Sequence, residues 1–444
     1  MKKRLLALLM AATMILSLAA CGNKTEDAGE GKKSTSGTEE NVTLRMAWWG
    51  SQTRHDRTVE VINMYMKEHP NVKIEYEFFS FDDYFTKLKT LVASDNVWDI
   101  FQLGGNFPDY MSKIYFLNDF VKDGTIDTSK ISDAYLKITQ DTAGNQIGLS
   151  NGLNTYGIAY DVDMFKNAGV PLPTDTWTWD DYADAARKIK KATGHFGTSG
   201  FTSSEFNAGC STYIGQQGKL GEFGFFNLEL TGMGFTDPQM LTGYIRMRAD
   251  LIKEGASPDA GAEMEITNIE NDFLVTGEAG MTWVAVNQFP TIYDICAKNG
   301  RTLALATLPR VNKNGNAGSV IQSSQMLCVS KDSAHKKEAA AFISWFQNST
   351  ECNNVLQGER GIPINDDVRK ALQANATPGQ KIMYDYVSLV GSFKTPEKVN
   401  VLSPAGQDQV VDLYRTYIQQ VVSGEITAEK AAELTYKAGE SLFK

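Results

Sequence analysis

Apolar positions along the chain fall into two rhythms. Residues 42–48 read as a buried strand, and Val59, Ile62, Tyr65 and Met66 then recur at helical spacing over 58–68. Pro70 ends that helix, and Val72, Ile74, Tyr76 and Phe78 alternate along a second strand, 72–79. A helix over 84–94 and a third strand beginning at Asp99 follow. Strand and helix alternating at this spacing predict an α/β fold with a parallel sheet wrapped by helices.

After Ser150 the pattern restarts, with a strand at 156–160, a short helix at 164–168 and a link through Pro171 and Pro173. A helix over 178–191 opens at Thr178 with Asp181 three residues on, a start like a capping box, behind Trp177 at the staple position; Gly194 closes it. Residues 196–234 are rich in glycine and aromatics and show neither period. Further on, the pattern predicts helices at 241–254, 338–346 and 407–422, strands at 279–286 and 325–330, and an extended crossing at 303–309. No internal repeat is visible.

Length and charge narrow the function. The 444 residues, 42% hydrophobic and 22% charged, suit two or three ordinary globular domains. The longest apolar run, Leu5 to Ala20, is 16 residues, short of the roughly 20 that a spanning helix needs. Lys2, Lys3 and Arg4 precede it, so residues 1–20 read as a secretory signal peptide. Its removal takes the net charge from −10 to −13, which repels phosphate backbones and argues against nucleic acid as a partner. Leu18-Ala19-Ala20-Cys21-Gly22 resembles the bacterial lipobox, in which the cysteine is lipidated and becomes the mature N-terminus. Residues 21–41 carry no aliphatic side chain larger than alanine and should form a flexible tether reaching about 25 Å. The expectation is an extracytoplasmic lipoprotein, palmitate-anchored through Cys21 to the bacterial cell membrane.

Several chemistries find no support. Cys210, Cys296, Cys328 and Cys352 lie far apart with no C-x-x-C spacing, so a metal or redox site is not expected. Gly148-Leu-Ser150-Asn-Gly152 matches the outline of a nucleophile elbow, yet a strand follows where that motif needs a helix. Ser333-Ala-His-Lys336 is better explained by Ser333 as a helix cap, and no carboxylate pair stands apart. No phosphate loop occurs, and no enzyme activity or cofactor is expected.

At this point the residues are similar to a known family, the extracellular solute-binding proteins (family 1) of carbohydrate ABC importers, which resemble maltose-binding protein. The match is carried by Tyr156-Gly-Ile-Ala-Tyr-Asp-Val-Asp-Met-Phe-Lys-Asn-Ala-Gly-Val170 followed by Thr178-Trp179-Asp180-Asp181-Tyr182. Phe273-Leu-Val-Thr-Gly-Glu-Ala-Gly-Met281, Gly361-Ile362-Pro363 and Ser423-Gly424-Glu425 add to it; Val97-Trp98-Asp99 departs from it, lacking the usual proline before the aspartate. The resemblance implies a two-lobed periplasmic-binding-protein-like fold (type II) with three hinge crossings, near Ser150, Pro309 and Gly361. Lobe one would be 42–148 plus 310–361 and lobe two 149–309 plus 362–444. It also implies a monomer that binds an oligosaccharide between the lobes and delivers it to the permease.

A sugar site pairs an aromatic face with amide and hydroxyl donors and acceptors. Trp48 and Trp49, adjacent at a strand end, must point opposite ways, so one should face the cleft. Gln52, Arg54, Gln102, Asn106, Asn151, Asn154, Asn287, Gln322 and Ser323 fall in loops after strands or at crossings and are the polar candidates. Trp283, on the strand where the family presents its cleft, is a candidate for stacking; Trp179 and Trp345 read as core, with Trp98 and Trp177 undecided. Arg54 and Arg360 also suit a cargo with its own carboxylate, and residues 48–56 look like the opening of pectic-oligosaccharide binders in the family. The alternatives are surface pairs of these arginines with Asp56 and Glu359, and, further off, an anchored hydrolase.

Overall fold

A computed structural model of the chain describes residues 41–200, 206–217, 224–227, 229–393 and 403–444; the leader, Cys21 and residues 21–40 of the tether lie outside them. Among the described residues no helix is long and apolar enough to cross a membrane.

The first sheet is built from β1 (Val42–Trp49), β2 (Val72–Phe79), β3 (Ile100–Leu103), β4 (Ile114–Tyr115) and β5 (Leu149–Ser150), with a strand from much later in the chain. β1 runs parallel to β2, Val42 opposite Val72, and to β3, Met46 opposite Ile100, as strand–helix alternation predicts. Helices Gln52–Glu68 and Phe81–Ala93 make the crossovers, each capped by a serine side chain, Ser51 and Ser80. The first begins six residues before the apolar period does, at Gln52 rather than residue 58. Its extra turns bury Arg54 and His55, which hydrophobic patterning cannot register.

After β6 (Leu153–Asn154), the second sheet comprises β7 (Tyr156–Asp161), β8 (Met281–Ala285) and β9 (Leu303–Ala306) in the order β8-β7-β9. Here both ladders are antiparallel, with Ile158 facing Trp283 on one side and Ala306 on the other. β8, helix Phe289–Lys298 and β9 still form a strand–helix–strand crossover. β7 occupies the slot between its two strands and runs the other way, so no neighbouring pair is parallel. The helix Trp179–Thr193 carries the capping box of Thr178 and Asp181 and ends at Gly194 with φ of 77°.

β11 (Met326–Ser330) returns to the first sheet, inserting antiparallel between β3 and β4 and also pairing with β5, whereas β10 (Gln322–Ser323), just before it, pairs with β6 in a separate two-stranded sheet. Three passages of chain lie side by side there. Leu153 and Asn154 pair with Ser323 and Gln322, and Leu153 bridges Ile362 on its other side. Gly152 and Gly361 meet face to face: a Cβ on Gly152 would lie 2.6 Å from the Gly361 carbonyl carbon, and Gly361 has φ of 114°. No other residue fits either place.

Separate cores lie under the two sheets. Trp179, Tyr182, Phe206, Tyr244, Trp283 and Tyr414 belong to the one beside β7, and the C-terminal helices Gln407–Ser423 and Ala428–Glu440 pack there against Thr242–Lys253. Leu44, Trp48, Ile62, Phe342 and Phe346 belong to the other. The four cysteines among the described residues are buried, and Cys296, Cys328 and Cys352 are free thiols.

Candidate functional site

β1 separates its terminal tryptophans as strand alternation requires. Trp48 turns under helix Gln52–Glu68, fully buried, with the Tyr76 and Phe78 rings each 5.8 Å away. Trp49 turns to the opposite face and packs on Tyr84 and Phe85, both at 5.1 Å, and on the edge of Phe81 at 5.5 Å. Half-buried there, it walls a cavity of about 330 Å³.

Phe81, Phe85, Asn106 and Ile138 complete the wall beside the first sheet; Tyr156, Phe225, Phe226, Asn287 and Gln288 face it from the second. Asn154, Gln322 and Ser323 come from the side-by-side crossings, and Ser403, Gln407 and Asp408 from the start of the C-terminal helix. That helix start reaches across the mouth: Ser403 N donates to Gly105 O at 3.0 Å and Gly406 N to the Asp109 carboxylate at 3.1 Å.

The amides are oriented by one another. Asn154 Nδ2 donates to Asn287 Oδ1 at 2.8 Å, Asn287 N donates back to Asn154 Oδ1 at 3.1 Å, and Asn287 Nδ2 reaches the Glu359 carbonyl at 2.8 Å. Asn106 Oδ1 accepts from Gly104 N, and Ser323 Oγ lies 2.8 Å from Ser150 Oγ. These contacts leave a fixed array of donors and acceptors opposite an aromatic wall.

Trp49, Arg54, Asn106, Asn154, Asn287, Gln322 and Ser323 therefore meet at the cavity. Six other candidates do not line it. Trp48 is core, and Gln52 is exposed, bonding Asp56 at 2.7 Å. Gln102 is buried behind Trp49, donating to its carbonyl at 3.3 Å, and Asn151 is buried with its Oδ1 taken by Gln347. Trp283 corrects the expectation of a cleft ring: it is 4% exposed and stacks on Trp179, centroids 6.0 Å apart. Its side chain alternates onto the helix-covered face of β8. Trp98 and Trp177 are also core, whereas Trp345 is half-buried and bonds Glu68. Conversely, Phe81 and Phe85, one helical turn apart, line the cavity without having been singled out from sequence, and Phe225 and Phe226 fall in the stretch with no period.

The arginines pair neither as a ligand grip nor as surface bridges. Arg54 is bound to Glu359, Nε to its two oxygens at 2.9 and 2.8 Å and Nη2 to Oε1 at 2.8 Å, with the side chains 6% and 7% exposed. Its Nη1 donates to the Trp49 carbonyl at 3.2 Å. Arg360 is fully buried: Nη1 donates to Gln102 Oε1, Nη2 to Thr58 Oγ1 at 2.7 Å, and the guanidinium lies over the Phe346 ring. Burial favours the neutral acid at Glu359, but the charge and hydrogen bonds of Arg54, with Arg360 and Arg57 behind, outweigh it and hold the carboxyl below its ordinary range.

His55 feels the same charges. Burial first, then Arg54 and Arg360, push its imidazole down to about 4, and it stacks neutral on Phe78 at 4.3 Å. The unfolded value is about 6.5, so between the two the unfolded chain binds more protons and stability falls as pH falls. Urea unfolding at pH 7 and pH 5 should differ by about 2 kcal/mol through this residue. His55→Gln should remove that part of the slope; an identical slope in the variant would assign it elsewhere.

The two serine motifs show no catalytic geometry. Ser150 Oγ donates to Gly152 O at 2.9 Å, and strand β6 follows it. Ser333 accepts from His335 N in a turn just before helix Lys336–Asn348, whose boundary residue is His335 and which has no side-chain cap.

A family model described as bacterial extracellular solute-binding protein matches residues 50–351. The arabinooligosaccharide-binding protein of Bacillus subtilis (strain 168) is 24% identical over 385 residues, 82% of each chain. Among solved structures, a periplasmic oligogalacturonide-binding protein from Yersinia enterocolitica, in complex with saturated digalacturonic acid, superposes with a TM-score of 0.79 at 20% identity, over 90% of this chain and 98% of that one. An ABC substrate-binding protein from Listeria monocytogenes, in complex with cycloalternan, does so with a TM-score of 0.72 at 21% identity, over 90% and 98%. The shared architecture is the two-lobed α/β fold of periplasmic solute-binding proteins.

Proposed function

The chain belongs to the bacterial extracellular solute-binding proteins, and from that premise we propose that it captures an oligosaccharide outside the cytoplasm and delivers it to the permease of an ABC importer. The observation that carries this is the cavity itself, where Trp49, Phe81 and Phe85 face the amides of Asn106, Asn154, Asn287 and Gln322. Apolar C–H faces of a pyranose or furanose pack on the rings, while hydroxyls need donors and acceptors fixed in place. The relatives support the same class of cargo, since those just described bind arabinooligosaccharide, digalacturonic acid and cycloalternan.

The lobes we assign are 42–148 plus 310–361 and 149–309 plus 362–444, with one amendment supported by packing: helix Asp366–Ala374 sits on helix Thr350–Leu356 and travels with lobe one. The leader, Cys21 and the tether support export and lipid anchoring, with the body working as a monomer that retains its cargo unaltered.

Calorimetry with arabino-, xylo- and malto-oligosaccharides tests the proposal. Trp49→Ala should weaken binding by more than about 1 kcal/mol while unfolding remains cooperative. Unchanged affinity would take the ring out of the site, and release of shortened sugars during incubation would replace capture with hydrolysis.

A further inference from the structure

Among the described residues that line the cavity, Arg54 is the sole cation and Asp408 the sole anion. Arg54 is already occupied. Glu359 takes its Nε and Nη2, and the Trp49 carbonyl takes Nη1. We infer that Glu359 is a built-in carboxylate that fills the grip of Arg54 and so makes the cavity selective for uncharged oligosaccharides over uronates. This rests on the oligosaccharide reading above and adds to it the charge class of the cargo.

A uronate entering the cavity would have two courses. It could displace Glu359, which would leave an unpaired carboxylate in a buried place beneath Trp49. Otherwise its own carboxylate would lose water without gaining a cation from the described lining, near the like charge of Asp408. An uncharged sugar meets neither obstacle, because its hydroxyls can donate to Asp408 and the amide oxygens and accept from the amide nitrogens. Glu359 does not line the cavity, so it acts as a positioning residue. Its carboxylate neutralises Arg54, and its main-chain carbonyl holds Asn287 at 2.8 Å. Arg360, the second arginine suited by sequence to a carboxylate, lies 1% exposed and is absent from the cavity wall.

The test is calorimetry at pH 7 on the mature chain with arabinotriose, xylotriose and maltotriose against trigalacturonate. At least one neutral trisaccharide should bind, and trigalacturonate should bind 100-fold or more weakly. Trigalacturonate binding as tightly as the best neutral sugar would overturn the inference and leave oligosaccharide capture standing. No binding by any of the four would instead sink the capture of oligosaccharides, and the selectivity with it. Glu359→Gln, which removes the charge that neutralises Arg54, should narrow the ratio at least tenfold by tightening trigalacturonate, a gain that loss of structure cannot produce. A folded variant with an unchanged ratio would remove Glu359 from the selectivity. Should the variant fail to fold, the wild-type ratio alone decides.

Discussion

Glu359→Ala is expected to lower the free energy of unfolding by about 3–5 kcal/mol, because it strands Arg54 as an unpaired cation in a buried site. The loss has two parts. Arg54 would keep only the Trp49 carbonyl, and Arg360, whose cationic form is already opposed by burial and by Arg54, would lose the compensating charge of Glu359. Urea unfolding at pH 7 measures the effect. The double replacement Arg54→Met with Glu359→Leu should recover most of it, since an intact buried pair contributes little beyond what well-packed apolar groups would. A loss below about 1 kcal/mol for Glu359→Ala would mean that water reaches the pair and screens it.

Trp283→Ala is the second large effect, about 3–5 kcal/mol of stability from the cavity left among Trp179, Tyr182 and β7. It separates this ring from Trp49. Where the variant is still folded, its affinity for the sugar should stay within about tenfold of wild type, whereas Trp49→Ala should lose binding before it loses the fold. Intact stability with abolished binding in Trp283→Ala would return the ring to the cleft.

Periodicity made some elements legible almost to the residue. β2 was predicted over its full length because one of its faces is strictly apolar, and Trp179–Thr193 because its ends carry cap chemistry that acts locally. The same signal failed where burial is polar. The first turns of helix Gln52–Glu68 bury a guanidinium and an imidazole, which an apolar count reads as loop. It also failed where layer matters more than period: β8 is buried on both faces, so sequence could not say which face Trp283 joins. The direction of β7 in its sheet was hidden for a like reason, since a short buried strand has the same pattern whichever way it runs.

The candidate site divides along the same line. Asn154, Asn287, Gln322 and Ser323 were found because strand ends and crossings border the cavity, although Gln52, Gln102 and Asn151 share that placing and do not line it. The arginines were misassigned because their partners are distant in sequence. Arg54 and Glu359 are 305 residues apart, and nearest-neighbour reasoning offered Asp56 to one and Glu359 to the other. Phe225 and Phe226 carried no signal, since their segment has no period to violate.

The placing of β11 bears on how the protein is made. A chain emerging from its N-terminus completes β1, β2 and β3 long before Met326 exists, yet β11 is the strand that covers the outer side of β3. Until then β3 presents unpaired N–H and C=O groups, a template for another nascent chain. That edge of β3 is paired only once residues 326–329 of the late strand have arrived.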